Sequence, residues 1–142
     1  MSASKKNESG PVIKVVALAM RHSATGHFML ARRSQNSSGA GQWEFPGGKI
    51  EPNETNQQAL VREIKEELSF DLTGLNIKFV AENIHDYGNR KIQIILYFVE
   101  VAIRPQFVLL DHDSLDWYDL KNIEGLNLSL GDKYFIPLLN SI

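Results

Sequence analysis

The stretch 91–101 carries apolar side chains on both faces that a β-strand would present. Its two alternating sets are Ile92, Ile94, Leu96 and Phe98, and Gln93, Ile95, Tyr97 and Val99. A strand of this kind is stable only where both of its faces are largely covered. The chain is therefore expected to fold around a sheet that has packing layers on both sides.

Five further apolar runs, separated by turn-rich segments, predict the other strands of this sheet. They lie at residues 12–20, 28–33, 43–45, 77–84 and 115–120. Helices are expected at 55–68 and 128–139, although Pro137 lies inside the second span. Mixed strands with two helices indicate an α+β fold or an α/β/α sandwich.

The first helix has the clearest pattern in the chain. Thr55 and Gln58 form a Thr-x-x-Gln capping box at its start. Leu60, Ile64 and Leu68 repeat every four residues and give one apolar stripe. This helix is therefore expected to pack one face on the sheet and to leave the other face polar.

The size and composition of the chain limit its class. A length of 142 residues suits one domain, which we place at residues 11–142 behind a disordered leader at 1–10. No cysteine is present, which rules out disulfides, thiolate metal sites and cysteine nucleophiles. No apolar run approaches the roughly 20 residues that cross a bilayer, and no signal peptide is evident. A cytoplasmic protein without membrane contact is the expectation.

The charge balance bears on possible partners. Fifteen basic and 17 acidic residues give a formal net charge of -2. This balance argues against stable binding to duplex nucleic acid, which is driven by phosphate contacts. A small polyanionic ligand remains compatible, because local charge can differ from net charge. The oligomeric state is left open.

Three carboxylates lie close together on the first helix. The spacing of Glu63, Glu66 and Glu67 places them on neighbouring positions of one face. Arg62 or a Mg²⁺ ion would offset the repulsion between them, because hard cations take oxygen ligands. An ordinary solvated helix face is the alternative. The Gly-Gly-Lys of residues 47–49 favours a metal or phosphate site, because glycines allow close backbone approach.

Residues 48–70, G-KIEPN-E-TNQQALV-REIKEELSF, resemble the Nudix box, Gx5Ex7REUxEExGU, where U is aliphatic or aromatic. Every fixed position matches except Ser69, where the family usually has glycine. The resemblance extends over roughly 12–139 and implies an α+β fold, the Nudix-type α/β/α sandwich around a mixed β-sheet. The Ala-Arg-Arg of 31–33, the Trp-Glu-Phe-Pro-Gly-Gly-Lys of 43–49, and His112 with Trp117 are similar to the MutT branch.

The MutT-like resemblance implies an enzyme that hydrolyses nucleoside triphosphates to the monophosphate and pyrophosphate. Its cofactor would be Mg²⁺, with Mn²⁺ as a substitute. Oxidised nucleotides such as 8-oxo-dGTP, or pyrimidine nucleotides such as CTP and dCTP, are the candidate substrates. The alternatives are an RNA 5′-pyrophosphohydrolase and a non-catalytic nucleotide-sensing module.

Catalytic roles follow from the resemblance position by position. The implied metal ligands are the carbonyl of Gly47 with the side chains of Glu63, Glu66, Glu67 and Asp111. Glu63 also matches the residue often assigned as general base, and Arg62 matches the arginine that orients the glutamates. Glu54 matches the outer acid of the box. Family members usually have Glu at the Asp111 position, so the shorter Asp is expected to bind through water.

Substrate contacts are implied in the same way. Arg33 and Arg90 match phosphate-binding arginines. Phe45 and Gly48 are predicted to contact substrate, and Lys49 either touches phosphate or is an ordinary loop lysine. The four histidines lack ligand spacing, and His112 is expected to be structural.

Asp132 aligns with a residue that hydrogen-bonds the base in the MutT branch. An ionised aspartate only accepts hydrogen bonds, so it would suit an exocyclic amino group on cytosine or on the guanine edge. The alternative is that Asp132 is a helix N-cap.

Overall fold

A mixed seven-stranded sheet forms the centre of the computed structural model, which describes residues 11–142. The strands are β1 Val12–His22, β2 Phe28–Arg33, β3 Trp43–Glu44, β4 Gly47–Lys49, β5 Lys78–Asp86, β6 Lys91–Val101 and β7 His112–Tyr118. Their main order is β3-β2-β1-β6-β5, with β4 paired to β1 and β7 paired to β2. β1 runs parallel to β6 and antiparallel to β4. The expected mixed sheet is confirmed.

The helices and turns connect these strands. They are α1 Asn56–Leu68, a 3-10 turn at Leu120–Asn122, α2 Leu130–Lys133 and α3 Ile136–Leu139. The capping box of α1 is confirmed, because Thr55 Oγ1 accepts from Gln58 N at 3.1 Å and Gln58 Oε1 accepts from Thr55 N at 2.9 Å. At the other end, Ser69 adopts the left-handed conformation with φ 55°, where glycine is the favoured residue.

Two apolar cores lie on opposite faces of the sheet. One packs the apolar stripe of α1 against alternate residues of β1 and β6. The other packs the intervening residues of the same strands against the C-terminal part of the chain, including Leu128, Phe135 and Leu139. The alternation of β6 therefore covers both of its faces, and the α/β/α sandwich is confirmed.

The structure differs from the expected elements at three places. A separate strand forms at β4, which the glycine-rich sequence does not suggest. The final strand is His112–Tyr118 instead of residues 115–120. The single closing helix at 128–139 is wrong, because α2 ends at Lys133 and a second short helix, α3, begins at Ile136. Pro137 lies in the first turn of α3, where its missing N–H costs least.

None of the helices between residues 11 and 142 is long and apolar enough to cross a membrane. The leader expected at residues 1–10 lies outside the described part of the chain.

Candidate active site

The carboxylate face of α1 meets strand β4. An added Cβ on Gly48 would overlap the Glu63 carboxyl group, and one on Gly47 would overlap the carbonyl of Val16 on β1. Gly47 is therefore required by the neighbouring backbone, whereas a side chain at position 48 would displace the Glu63 carboxyl group. The backbone of Gly47 also donates a hydrogen bond to Glu67. The strand thus holds two of the three predicted glutamates against its backbone.

Burial and crowding set the electrostatics of these glutamates. The pKa of Glu67 is raised to about 9, first by burial and then by the charges of Glu63, Glu44 and Asp111. The hydrogen bond from Gly47 opposes this rise. Burial also raises the pKa of Glu63, with Arg62 opposing the shift. Glu67 Oε1 is buried without a hydrogen-bond partner among the described residues. Among the described residues, three carboxylates oppose the ionised form of Glu67 and no basic side chain contributes to the shift of its pKa.

Arg62 organises the other side of the cluster. Its Nε donates to Glu54 Oε2 at 2.6 Å and its Nη2 donates to Glu54 Oε1 at 2.8 Å, a bidentate pair. Nη2 also donates to the Lys49 carbonyl at 3.0 Å, and Nη1 donates to Glu66 Oε1 at 3.1 Å. Hydrogen bonds from Arg62 and from the Glu51 amide lower the pKa of Glu54 to about 2. Arg62 therefore joins β4, the loop and α1 into one unit.

The donor set fits a hard divalent cation. All of its side-chain groups are carboxylates, and such ligands suit Mg²⁺, Mn²⁺ or Ca²⁺. A cation would neutralise the buried Glu67 and occupy the unpaired Oε1. Within residues 11–142, no three acidic or histidine side chains already form a metal-binding group. Two of the predicted ligands lie on the solvent side of the cluster. The Glu66 side chain is 58% exposed, and Asp111 is also exposed.

Glu44 is a site residue that the sequence analysis missed. It lies on β3, accepts from Arg33 Nη1 at 3.2 Å and pairs with His112 Nε2 at 2.8 Å. Its charge raises the pKa of both Glu67 and Asp132. The position of Glu44 inside the glycine-rich string 43–49 was the available signal. His112 is buried, as its expected structural role requires.

Asp132 is buried and contacts a distant strand. Its Oδ2 accepts from Phe45 N at 3.1 Å. The helix N-cap alternative is wrong, because Ser129 occupies the cap position of α2. Burial first, and then the charge of Glu44, raise the pKa of Asp132 well above its ordinary range. Burial thus favours the neutral carboxyl of Asp132, which can donate as well as accept, over the ionised form, which only accepts.

Two adjoining cavities connect these groups. The smaller, of about 150 Å³, is lined by Phe45, Asp132, Gly47 and Gly48 among others. The larger, of about 510 Å³, includes Arg90. Arg33, Glu44, Tyr87, Ile92 and Ser129 line both cavities. The predicted substrate residues thus converge on one cleft that reaches β4, except for the Lys49 side chain, which lines neither cavity.

Known proteins are similar to this chain in sequence. A CTP pyrophosphohydrolase from Escherichia coli (strain K12) is 48% identical over 130 residues, covering 92% of this chain and 90% of the relative. An 8-oxo-dGTP diphosphatase from Proteus vulgaris is 41% identical over 70 residues, covering 49% of this chain and 61% of the relative.

The fold also has a solved counterpart. The crystal structure of a MutT protein from Methanosarcina mazei Go1 superimposes with a TM-score of 0.80 at 26% identity, covering 92% of this chain and 94% of that chain. The family described as the NUDIX domain matches residues 12–139. Members of this family generally use a divalent metal ion. The carboxylate face of α1, the glycines of β4 and the family match lead to one conclusion: the chain belongs to the Nudix family of hydrolases.

Proposed function

We propose that the chain hydrolyses nucleoside triphosphates to the monophosphate and pyrophosphate with Mg²⁺ as its metal ion. The observation that carries the proposal is the buried, unpaired Oε1 of Glu67 beside Gly47. Gly47, whose backbone hydrogen-bonds Glu67, lines the smaller cavity of a cleft that also contains Arg33, Arg90 and the buried Asp132. The CTP pyrophosphohydrolase activity of the 48% identical relative supports the same reaction class.

Glu63, Glu66, Glu67, Asp111 and the Gly47 carbonyl would hold the metal. A bound divalent ion neutralises phosphate charge and lowers the pKa of a water molecule. Glu63 is the proposed general base, which takes the proton from the attacking water. The proposed role of Arg62 is indirect: its hydrogen bonds to Glu54, Lys49 and Glu66 hold the glutamates of the helix face in position.

Arg33 and Arg90 are the proposed phosphate ligands, since both line the larger cavity. Arg33 already pairs with Glu44, so substrate phosphate would compete with that carboxylate for the guanidinium. Phe45 and Gly48 form part of the wall of the smaller cavity. The Lys49 side chain is exposed, so any contact it makes with phosphate would occur at the rim.

Asp132 is the proposed base-selecting residue. A neutral carboxyl offers one donor and one acceptor, which together suit the amino group and ring nitrogen of cytosine. Such a pair also fits a guanine edge that presents a carbonyl beside an N–H. The names of the two relatives, a CTP pyrophosphohydrolase and an 8-oxo-dGTP diphosphatase, agree with both choices.

The test is pyrophosphate release from a panel of CTP, dCTP, dGTP and 8-oxo-dGTP, with capped and 5′-triphosphorylated RNA alongside. We expect turnover of at least one free nucleotide with stoichiometric pyrophosphate. Faster turnover of an RNA end would favour the RNA reaction. Binding of nucleotides without release of any product would instead indicate a sensing module.

A further inference from the structure

The short helix that carries Asp132 is capped by a side chain from another part of the fold. Ser129 occupies the N-cap position of α2, but its side chain makes no cap hydrogen bond. The amide of Gly131, the second residue of α2, donates to Tyr87 Oη at 3.0 Å instead. A cap side chain would normally accept from this amide or the next. Tyr87 Oη also lies 3.2 Å from Ser129 Oγ.

Tyr87 is itself held in the turn between β5 and β6. Its amide donates to the Arg90 carbonyl at 2.9 Å, which closes the turn. The Gly88 amide donates to Asp86 Oδ1 at 2.8 Å. The ring of Tyr87 packs edge-on against His85, with 4.4 Å between ring centroids. The hydroxyl that caps α2 is therefore supplied by the same turn that carries the proposed phosphate ligand Arg90.

The turn packs closely against α2 at Gly131. An added Cβ on Gly131 would lie 2.8 Å from Tyr87 Oη and 2.7 Å from Ile94 Cδ1. On the other side of α2, the Ser129 amide donates to the Trp43 carbonyl at 2.8 Å. Hydrogen bonds from both sides thus determine the position of α2 and of its buried Asp132.

We propose that Tyr87 is a positioning residue for base selection, whose hydroxyl fixes Asp132 in the cleft and ties it to the turn of Arg90. This inference rests on the proposed function, because it assumes that Asp132 contacts the base. Tyr87 acts through α2, because its hydroxyl binds the Gly131 amide and not the Asp132 carboxyl group. In the described part of the chain, the hydrogen-bond partner of that carboxyl group is the amide of Phe45. Loss of the Tyr87 hydroxyl leaves the Gly131 amide without its acceptor and frees α2 to shift.

The experiment compares Tyr87→Phe with the wild-type protein on CTP and 8-oxo-dGTP. The substitution keeps the ring and removes only the hydroxyl. We expect KM to rise for the preferred nucleotide with kcat little changed, because the base is bound far from the reacting phosphorus. The ratio of kcat/KM between the two nucleotides should move by on the order of tenfold. Tyr134→Phe is the matched control, since Tyr134 directly follows α2 and is 51% exposed, and it should leave the ratio unchanged.

Two further measurements show whether the effect passes through α2 and Asp132. In an Asp132→Asn background, Tyr87→Phe should cause little additional change in the ratio, because coupled residues are not additive. Amide hydrogen exchange at Gly131 should become faster in Tyr87→Phe and stay unchanged in Tyr134→Phe. If Tyr87→Phe folds poorly, Gly131→Ala displaces the hydroxyl from the other side and should shift the ratio in the same direction.

The outcomes separate this inference from the proposed function. A wild-type protein that hydrolyses no nucleotide overturns the proposed function, and with it the role in base selection, whatever the exchange data show. A wild-type protein that hydrolyses nucleotides, with a ratio unmoved by Tyr87→Phe, overturns the positioning role alone. A fall in kcat at an unchanged ratio, or an equal shift in the Asp132→Asn background, overturns it as well.

Discussion

Glu67→Gln keeps the shape of a buried side chain and removes its ionisable group, so it isolates the cost of burying that group. Folding raises the pKa of Glu67 from 4.5 to about 9. The folded protein therefore retains a proton that the unfolded chain releases, and the contribution of Glu67 to stability falls as pH rises from about 4.5 towards 9. At pH 7.5, three pH units above 4.5, the cost is at most about 4 kcal/mol at roughly 1.4 kcal/mol per unit.

The glutamine variant should be more stable than the wild-type protein by about 2–4 kcal/mol at pH 7.5 without metal, since coupling among the neighbouring carboxylates reduces the upper figure. Glutamine can still accept the hydrogen bond from the Gly47 amide through its carbonyl oxygen. For a chain of this size the gain corresponds to a rise in Tm of roughly 5–12 °C. The gain should shrink to below about 1 kcal/mol at pH 5, which lies only half a pH unit above the pKa of 4.5 in the unfolded chain.

Thermal melts in chelator at pH 5 and pH 7.5 provide the measurement. Glu66→Gln is the matched control, because it makes the same change one residue earlier on an exposed side chain that pairs with Arg62. Exposed pairs contribute about 0–1 kcal/mol, so this variant should melt close to the wild-type protein. Both variants should lose two or more orders of magnitude in kcat.

Equal melting temperatures for Glu67→Gln and the wild-type protein at pH 7.5 would refute the reasoning that the raised pKa of Glu67 destabilises the fold above pH 4.5. A gain that is the same at both pH values would also contradict it, because a packing effect does not depend on protonation. Loss of folding in either variant would indicate that this helix face is structural.

Three further predictions concern the metal, the base and the helix end. Chelation should abolish turnover, and Mg²⁺ or Mn²⁺ should restore it; full activity in excess chelator would contradict the proposed metal site. Asp132→Asn should change the ratio of kcat/KM between CTP and 8-oxo-dGTP by about tenfold or more, whereas unchanged ratios would remove Asp132 from base selection. Ser69→Gly should stabilise the fold by about 1 kcal/mol or less, because relief of the left-handed strain at φ 55°, roughly 1–2 kcal/mol, exceeds the added backbone entropy of unfolded glycine, about 0.4–1 kcal/mol; a lower Tm would show that Ser69 makes a compensating contact.

The family, the fold and most of the elements could be predicted because their signals are local. The capping box and apolar stripe define α1 within 14 residues, and the alternation of β6 defines a strand that is covered on both faces. Strand β4 could not be predicted, because its three residues form a strand only through their pairing with β1. The prediction of a single closing helix was wrong because Pro137 fits the first turn of a helix, so a new helix, α3, begins there.

The candidate site divides in the same way. The residues of the box come from one helix and its preceding strand, so their spacing is visible in the sequence. Glu44, His112 and Tyr87 come from three strands or turns that are distant along the chain, and only the folded sheet brings them to the cleft. The burial of Asp132 was also hidden, because it depends on residues far away in sequence. The roles of the individual site residues stay predictions.

Hydrogen bonds at the end of α1 determine where the chain between β6 and β7 can vary in length. The Val108 amide donates to the Leu68 carbonyl at 3.1 Å, and the Leu110 amide donates to the Glu67 carbonyl at 3.0 Å. These bonds fix the backbone next to Asp111 to the helix, independently of the segment 102–106 that precedes them. That segment can therefore be lengthened at small cost, about 0.6 kcal/mol for a doubling of a loop. An inserted tag or probe there would leave Asp111 in register with Glu67, whereas a single deletion at 109 would not.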